Sequence, residues 1–313
     1  MAPVKRRRPL ASRRLGLVAG LATALILIAC APRLATPSVS SLARTERPVA
    51  LTYLGVAGWR IDDGSHVLLV DPYFSRTRVE QGSVTLSSDE NLIARYAPAR
   101  ADAILVGHSH YDHLLDVPNV AKRTGAIVVG SQSTLNVARA AGVSEQHLIA
   151  VLGGETFEFG PFSVRAILGL HAVTGVPNAT IARDVRLPMT ADAYAEGGTF
   201  QYLVRVESRA ILFIGSGNFV ETELRGLRPD VAIVATRGRQ AVADYACRLM
   251  RALGRPQLVL ANHFDAHWEP LGVSQMNLAD DDRADLAAFT DEIRACSPTT
   301  RVVVPTHLQP IAI

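Results

Sequence analysis

The sequence predicts an α+β fold, and three observations carry that prediction. Short apolar runs rich in branched residues form two antiparallel groups, at residues 49–70 and 200–214. Each group is accompanied by alternating helix-like and strand-like stretches, which place helical layers outside a sheet. In each half, histidines fall where a strand-like run gives way to a loop.

Composition agrees with a folded body. The chain has 313 residues, 48% hydrophobic and 19% charged, enough to bury the core of one large domain or two small ones. The sequence pI is about 8.9, but the basic charge is unevenly placed. Residues 1–29 hold Lys5, Arg6, Arg7, Arg8, Arg13 and Arg14 and no acid, so without those six the formal charge of +3 becomes −3. The body is mildly acidic, and nothing in it points to nucleic acid.

Residues 1–29 read as an export segment: a basic start, an apolar run over 15–29, then Cys30. The run is short for a membrane span and suits the apolar core of a signal peptide. Leu27-Ile28-Ala29-Cys30 resembles the lipobox of bacterial lipoproteins, which implies cleavage before Cys30, acylation of its thiol and a lipid-anchored body outside the cytoplasm. Ser12-Arg13-Arg14 also resembles a twin-arginine export signal, with Gly16 where that motif prefers a large apolar residue. Pro32, Pro37, Ser38, Ser40, Ser41 and Pro48 mark residues 30–48 as the lipidated cysteine and its tether, leaving 49–313 as the folded domain. Cys247 and Cys296 remain. An oxidising compartment permits a disulfide between them, and two buried thiols are the other reading.

The elements follow in order. Runs at 49–54, 58–61 and 66–70 are separated by Gly55 and by the turn Asp62-Asp63-Gly64-Ser65, and predict an antiparallel meander ending at Asp71-Pro72. Residues 74–101 are polar and turn-rich, with a helical stretch near 91–96. The apolar run 103–107 reads as a buried strand. Helix is expected over 117–123 and 133–141, with a strand at 126–129 between them. A hairpin through Gly160-Pro161 joins 156–159 to 163–168. The loop 172–198 is long for a compact domain. Its Val173, Val176, Ile181, Val185, Leu187, Pro188, Met189 and Tyr194 suit contact with an acyl chain or bilayer, or packing on their own domain. A second meander, 200–206 and 210–214, ends in Gly215-Ser216-Gly217-Asn218. Strands at 231–235 and 258–261 flank a helix over 242–253; a helix over 285–295 and a last strand at 302–304 complete the chain.

The chemistry concentrates in His108-Ser109-His110-Tyr111-Asp112-His113, directly after the strand 103–107. Three imidazoles and a carboxylate within six residues suit a divalent transition metal. Imidazole is the usual ligand of zinc and iron, and the carboxylate can bind a second ion or orient a water.

This segment resembles the HxHxDH signature of the metallo-β-lactamase-fold hydrolases. The string GHSHYDHLLD is most similar to the branch with the ascorbate-phosphate lactonase-like proteins and the phospholipase D acting on N-acyl-phosphatidylethanolamine. The opening TYLGVAGWRIDDGSHVLLVDPYFSR is similar as well, with Val56 where a histidine often precedes AG. The resemblance implies a four-layer αββα sandwich with metals at one edge between two sheets. It implies His108, His110 and His171 as ligands of a first ion, and Asp112, His113 and His263 as ligands of a second. Many dinuclear members bridge their ions with an aspartate; here Ser216 stands in that place with Asn218 nearby. The site then holds one ion, or two with water or another carboxylate between them. Asp112 is also expected to position the attacking water or act as general base. Asp71 either orients a ligand histidine or closes its strand, and Asp265 is a spare ligand or an orienting carboxylate. His267 either faces the site or packs on Trp268, and His307 is a pocket residue.

A Lewis-acidic ion makes hydroxide available near neutral pH, so hydrolysis is the expected reaction class. Zn2+ is the expected cofactor, as one or two ions, with Mn2+ and Fe2+ as substitutes. The leading reading is an envelope lipoprotein that hydrolyses an ester, lactone or phosphodiester, with a small-molecule or lipid substrate. A phospholipase D-like enzyme and a non-catalytic metal- or ligand-binding envelope protein are the other two. The substrate and oligomeric state are not encoded in any motif.

Overall fold

The first meander forms as its alternation dictates. Strands β1 (Ala50–Gly55), β2 (Gly58–Asp62) and β3 (Val67–Val70) pair antiparallel. Asp63 holds the β2–β3 turn, its Oδ1 accepting the Ser65 and His66 N–H groups at 2.8 and 2.7 Å. Helix α1 (Glu90–Tyr96) begins at Asp89, whose side chain accepts the Asn91 and Leu92 N–H groups, the usual cap chemistry. Then come β4 (Ala103–Leu105), α2 (Tyr111–Leu114), α3 (Val117–Thr124), β5 (Ile127–Gly130), α4 (Gln132–Ala140) and β6 (Leu148–Ala150). Strands β3 to β6 run parallel, as their helical crossovers require.

The second half begins with β7 (Thr156–Phe159), β8 (Phe162–Leu168), β9 (Phe200–Val206) and β10 (Arg209–Ile214), an antiparallel meander. Next are α5 (Glu221–Leu224), β11 (Val231–Ala235), α6 (Tyr245–Leu253), β12 (Leu258–Asn262), α7 (Asp280–Cys296), β13 (Arg301–Val303) and β14 (Pro310–Ala312). One sheet has the order β14-β1-β2-β3-β4-β5-β6 and the other β13-β12-β11-β10-β9-β8-β7. Period-two alternation sorts the first sheet's faces. Leu51, Tyr53, Trp59, Ile61, Leu68 and Val70 share one core with the second sheet. Leu69, Ile104 and Val128 pack instead with Val117, Val120 and Ala121 of α3 and Leu135 of α4. Leu249 and Met250 of α6 and Phe289 and Ile293 of α7 complete the second sheet's side of the core. This is the expected αββα sandwich.

The structure corrects four details. The run 302–304 is not the last strand: β14 follows, pairing with β1 through Leu51 opposite Ile311. Strand β6, too short to show a pattern, extends the first sheet. Helix α6 starts at Tyr245 rather than Val242, because Asp244 takes a left-handed conformation (φ 50) just before it. Helix α7 starts five residues before Asp285, where Asp280, Asp281 and Asp282 complement the dipole of its first turn.

This computed structural model describes residues 48–79, 84–173, 178–272 and 278–313, which fall in one compact unit, residues 45–313. The export segment, Cys30, most of the tether and Val176 lie outside the described residues. Among the described residues no helix is long and apolar enough to cross a membrane.

Cys247 of α6 and Cys296 of α7 are joined as a disulfide, with Cα atoms 4.8 Å apart and a sequence separation of 49. Closing a loop of that size restricts the unfolded chain. Replacing both cysteines by alanine is expected to cost about 2–4 kcal/mol. Denaturant unfolding of the double variant against the oxidised protein measures it, and reductant should shift the wild type alone.

Candidate metal centre

Strand β4 stops at Leu105, and the next residues are held by backbone bonds that free the histidine side chains. Val106 N–H donates to Val129 O at 2.8 Å, and Gly107 N–H donates to Asp71 Oδ1 at 2.7 Å. Ser109 points the other way, its Oγ 3.1 Å from Ser131 Oγ and 2.9 Å from Thr134 Oγ1 at the start of α4. His108 and His110 are left facing the cavity. The His110 carbonyl accepts the N–H groups of His113 and Leu114, which starts the single turn of α2 and carries Asp112 and His113.

The structure gathers the histidines of the second half around this turn. His171 follows β8, its Nδ1 2.8 Å from Ala172 O. Ser216 and Asn218, just past β10, hold that turn: Ser216 Oγ accepts the Ala172 N–H at 2.8 Å, and Asn218 Nδ2 donates to His171 O at 3.2 Å. His263 follows β12 in a left-handed conformation (φ 54), with its N–H on Val56 O at 2.8 Å. Val56 thus contributes backbone to the site where a histidine ring was absent.

Two donor sets result: His108, His110 and His171, and Asp112, His113 and His263, each with ligand atoms within 4.8 Å of one another. The structure thus brings together the residues that the family resemblance implies for each ion. Asp71 both ends its strand and orients a ligand, its Oδ2 2.8 Å from His113 Nδ1 with both side chains about 1% exposed. His267 faces the site: its Nε2 is 3.5 Å from Asp112 Oδ2, while its ring lies 6.4 Å from that of Trp268.

Two expectations are corrected. Asp265 touches no ligand histidine. It accepts from Tyr53 Oη (2.6 Å), Val56 N (2.8 Å) and Arg76 Nη2 (2.7 Å), and its Oδ2 lies 2.9 Å from His307 Nε2. The left-handed turn at His263 sends Asp265 to β1 instead. His307 is accordingly no pocket residue; it is buried between Asp265 and the Tyr53 ring, 5.3 Å away. Gly55 leaves room for this cluster: at φ +83 it stands where a Cβ would come 2.5 Å from Arg76 Nη1.

The residues fit a metal. His113 Nε2 is buried with no hydrogen-bond partner among the described residues, a costly arrangement unless a cation takes its lone pair, and His108 Nε2 faces His110 Nδ1 at 3.0 Å, as two imidazole nitrogens sharing an ion do. Electrostatics agree. Burial lowers His110 and His267 to about 4, and pushes His108 and His171 down as well, so these rings are neutral donors. Burial opposes the charge of Asp112, but His267, His113 and His263 together hold its carboxyl well below the usual range.

A pH dependence follows. Unfolded histidines protonate near about 6.5, whereas the folded rings of His110 and His267 resist until about 4. Between those values the unfolded chain binds more protons, so stability falls as pH falls through that window. Each of the two contributes on the order of 2–3 kcal/mol. His113 runs the opposite way: Asp71 and Asp112 raise it against burial, so its contribution is present at low pH and lost as pH rises. Denaturant midpoints of metal-free protein from pH 7 to 4 should fall, and any bound ion should dissociate over the same range.

Five of the six donors, all but the buried His113, floor a cavity of about 330 Å³ walled by Tyr111, Ala172, Ala191, Asp192, Tyr194 and Arg237. Arg237 was not singled out from sequence, and Tyr194 was named only among the apolar residues of the long loop. Arg237 lies two residues past β11, the strand-end position already informative for the histidines; Tyr194 comes from the long loop and carries no such signal. Among the described residues of that loop, Ile181, Met189 and Tyr194 are buried on their own domain, while Val173 and Leu187 are exposed.

Two facing mixed sheets with six clustered donors at one edge define a metallo-β-lactamase-fold metal centre. Residues 50–263 match the Beta-lactamase superfamily domain, and the chain belongs to that family. It stands among metal-dependent hydrolases there: it is 25% identical over 310 residues to a UPF0173 metal-dependent hydrolase of Myxococcus xanthus, covering 94% of this chain and 96% of that one. In fold it is similar to Igni18, a metallo hydrolase of the archaeon Ignicoccus hospitalis, with TM-score 0.56, 16% identity, and 85% and 98% of the two chains covered. It is also similar to CmlA, a diiron beta-hydroxylase of Streptomyces venezuelae, with TM-score 0.55, 17% identity, and 86% of this chain but 55% of that one covered.

Proposed function

We propose that this chain is a metal-dependent hydrolase of the bacterial envelope acting on an ester, lactone or phosphodiester. The observation that carries the reading is the pair of donor triads, each with its ligand atoms within 4.8 Å of one another, five of the six residues lining one cavity. When bound, a divalent ion there supplies Lewis acidity and a nucleophile near neutral pH. His108, His110 and His171 would hold a first ion, and Asp112, His113 and His263 a second. Zinc suits this imidazole-rich set, and iron or manganese are the alternatives. Asp71 fixes the His113 ring. Asp112, kept ionised by the imidazoles around it, is the carboxylate available to take a proton from attacking water. Arg237 also lines the cavity wall, its Nη2 held by Asp282 Oδ1 and the Phe264 carbonyl.

A phospholipase D-like reading is favoured by one feature: Leu170, Val173 and Trp268, close in sequence to His171 and His267, are 46%, 67% and 44% exposed, apolar side chains of a kind suited to a lipid surface. Lipidation at Cys30 would hold them near a bilayer, and the Cys247–Cys296 disulfide supports export to an oxidising compartment.

The test is a zinc-loaded soluble body lacking residues 1–30, assayed on ester, lactone, phosphodiester and phosphatidylethanolamine substrates. Turnover that survives Arg294→Ala on the surface but not His110→Ala supports the enzyme. Preference for vesicles over soluble phosphodiesters selects the lipid reading. Metal content without turnover on any substrate leaves a binding protein.

A further inference from the structure

The second donor set lacks one thing that the first meander and its partners do not replace: the residue at the end of β10 is Ser216, whose Oγ is committed to the Ala172 N–H. It offers no carboxylate to a second ion. Asp112 and two imidazoles make only three protein donors, and a fourth is present nearby.

Three imidazole nitrogens converge on one carboxylate oxygen. Measured to Asp112 Oδ2, His263 Nε2 is at 3.3 Å, His267 Nε2 at 3.5 Å and His113 Nε2 at 3.7 Å. Donors about 2.0–2.1 Å from a tetrahedral ion stand roughly 3.4 Å from one another, so measured to Asp112 these are separations of the size found between ligands sharing a metal; the set with all ligand atoms within 4.8 Å of one another is Asp112, His113 and His263, and His267 stands at its margin. The other nitrogen of His267 faces Tyr111 Oη at 3.4 Å, a contact that orients its ring toward Asp112. The rings of His263 and His267 lie 5.2 Å apart and 68° from coplanar, as two imidazoles on one ion can. His267 lines the same cavity as five of the six donors, all but the fully buried His113, and is partly buried, its side chain 25% exposed.

We propose that His267 is a fourth protein ligand of the second ion, joining Asp112, His113 and His263 and supplying the donor that Ser216 does not. The assignment rests on the two-ion reading of the site. It makes the second site rich in imidazole and poor in negative charge, with a single carboxylate. Such a site favours zinc or cobalt over magnesium or calcium, which prefer oxygen donors.

The experiment is metal titration of the soluble body with Co2+ and Zn2+ under chelator competition, in the wild type and in His267→Ala, His267→Cys and His263→Ala. In the wild type two ions bind. In His267→Ala the first ion binds as before, and the affinity for the second falls by at least about a hundredfold. His267→Cys, loaded with Co2+, gains a thiolate-to-metal charge-transfer band, a signal that appears only when the side chain at 267 is bound to the ion. A second-ion affinity unchanged in His267→Ala overturns the proposal, as does a two-ion His267→Cys protein without the band. If His263→Ala loses the second ion in those cases, the two-ion reading survives and only the role of His267 falls. A wild type that takes up a single ion overturns both.

Discussion

His110→Ala is expected to lower kcat/KM by at least about a thousandfold while leaving the fold intact. A Lewis-acid contribution of several kcal/mol corresponds to that factor, and the first triad has no spare donor to replace an imidazole. The fold should survive because the part of His110 used structurally is its backbone, whose carbonyl starts α2. Its ring contacts only cavity neighbours: His108 Nε2 lies 3.0 Å from its Nδ1, and the His171 ring is 4.6 Å away. Metal content per chain and turnover, measured on one preparation, give the result. Removing a ring held neutral down to about 4 should also make the metal-free variant less sensitive to acid than the wild type. Loss of turnover with undiminished metal content would place His110 in substrate contact rather than metal binding.

Asp265→Ala should be the most destabilising single change near the site, costing about 3–5 kcal/mol. Asp265 is buried and takes contacts from four groups on three other segments of chain, Tyr53 and Val56, Arg76, and His307. Its removal strands the Arg76 guanidinium, whose side chain is only about 3% exposed. Arg76 keeps the carbonyls of Ala266 and Glu269 as acceptors but loses its charge partner. Asp265→Asn keeps the shape without the charge and should cost less. The pH sign also follows. Burial opposes the charge, but His307 and Arg76 hold the carboxyl well below its usual range, so its stabilisation is full above about pH 4 and lost as pH falls further. Urea unfolding of both variants at pH 7 checks the order. Because Val56 also accepts the His263 N–H, Asp265→Ala should weaken metal binding without touching a ligand.

The features legible in the sequence are local ones. The strand runs 49–54, 58–61 and 66–70 declare themselves through alternation and turn residues, and the motif His108 to His113 declares its chemistry through spacing. His171 and His263 were legible through the family resemblance, which places a ligand just past a strand end at each position; taken alone, either histidine reads as an ordinary loop residue. Contacts across long stretches of chain were not legible. Nothing near Asp265 says that its partners are Tyr53 and Val56, more than 200 residues earlier. A carboxylate beside a ligand histidine reads as an orienting group until the backbone turn at His263 is known. His267 had two readings because an aromatic neighbour and a distant carboxylate compete for the same ring. Strand β14 was hidden because Pro310 opens it, and proline is a poor advertisement for a strand.

That strand constrains the order in which the molecule can be made. Ile313 N–H bonds Val49 O at 3.0 Å, and Leu308 N–H bonds Tyr53 O at 2.9 Å, so the two ends of the domain lie side by side on one sheet edge. Strand β1 emerges first from a ribosome or a secretion channel, yet its outer neighbour is about the last piece to arrive. Until then β1 presents an open hydrogen-bonding edge, and the first sheet can close only after the whole domain has been delivered. A chain threaded through a narrow pore in an extended state would meet no premature closure of this sheet, and bulky fusions on the C-terminal side would press directly on the edge where the tether begins.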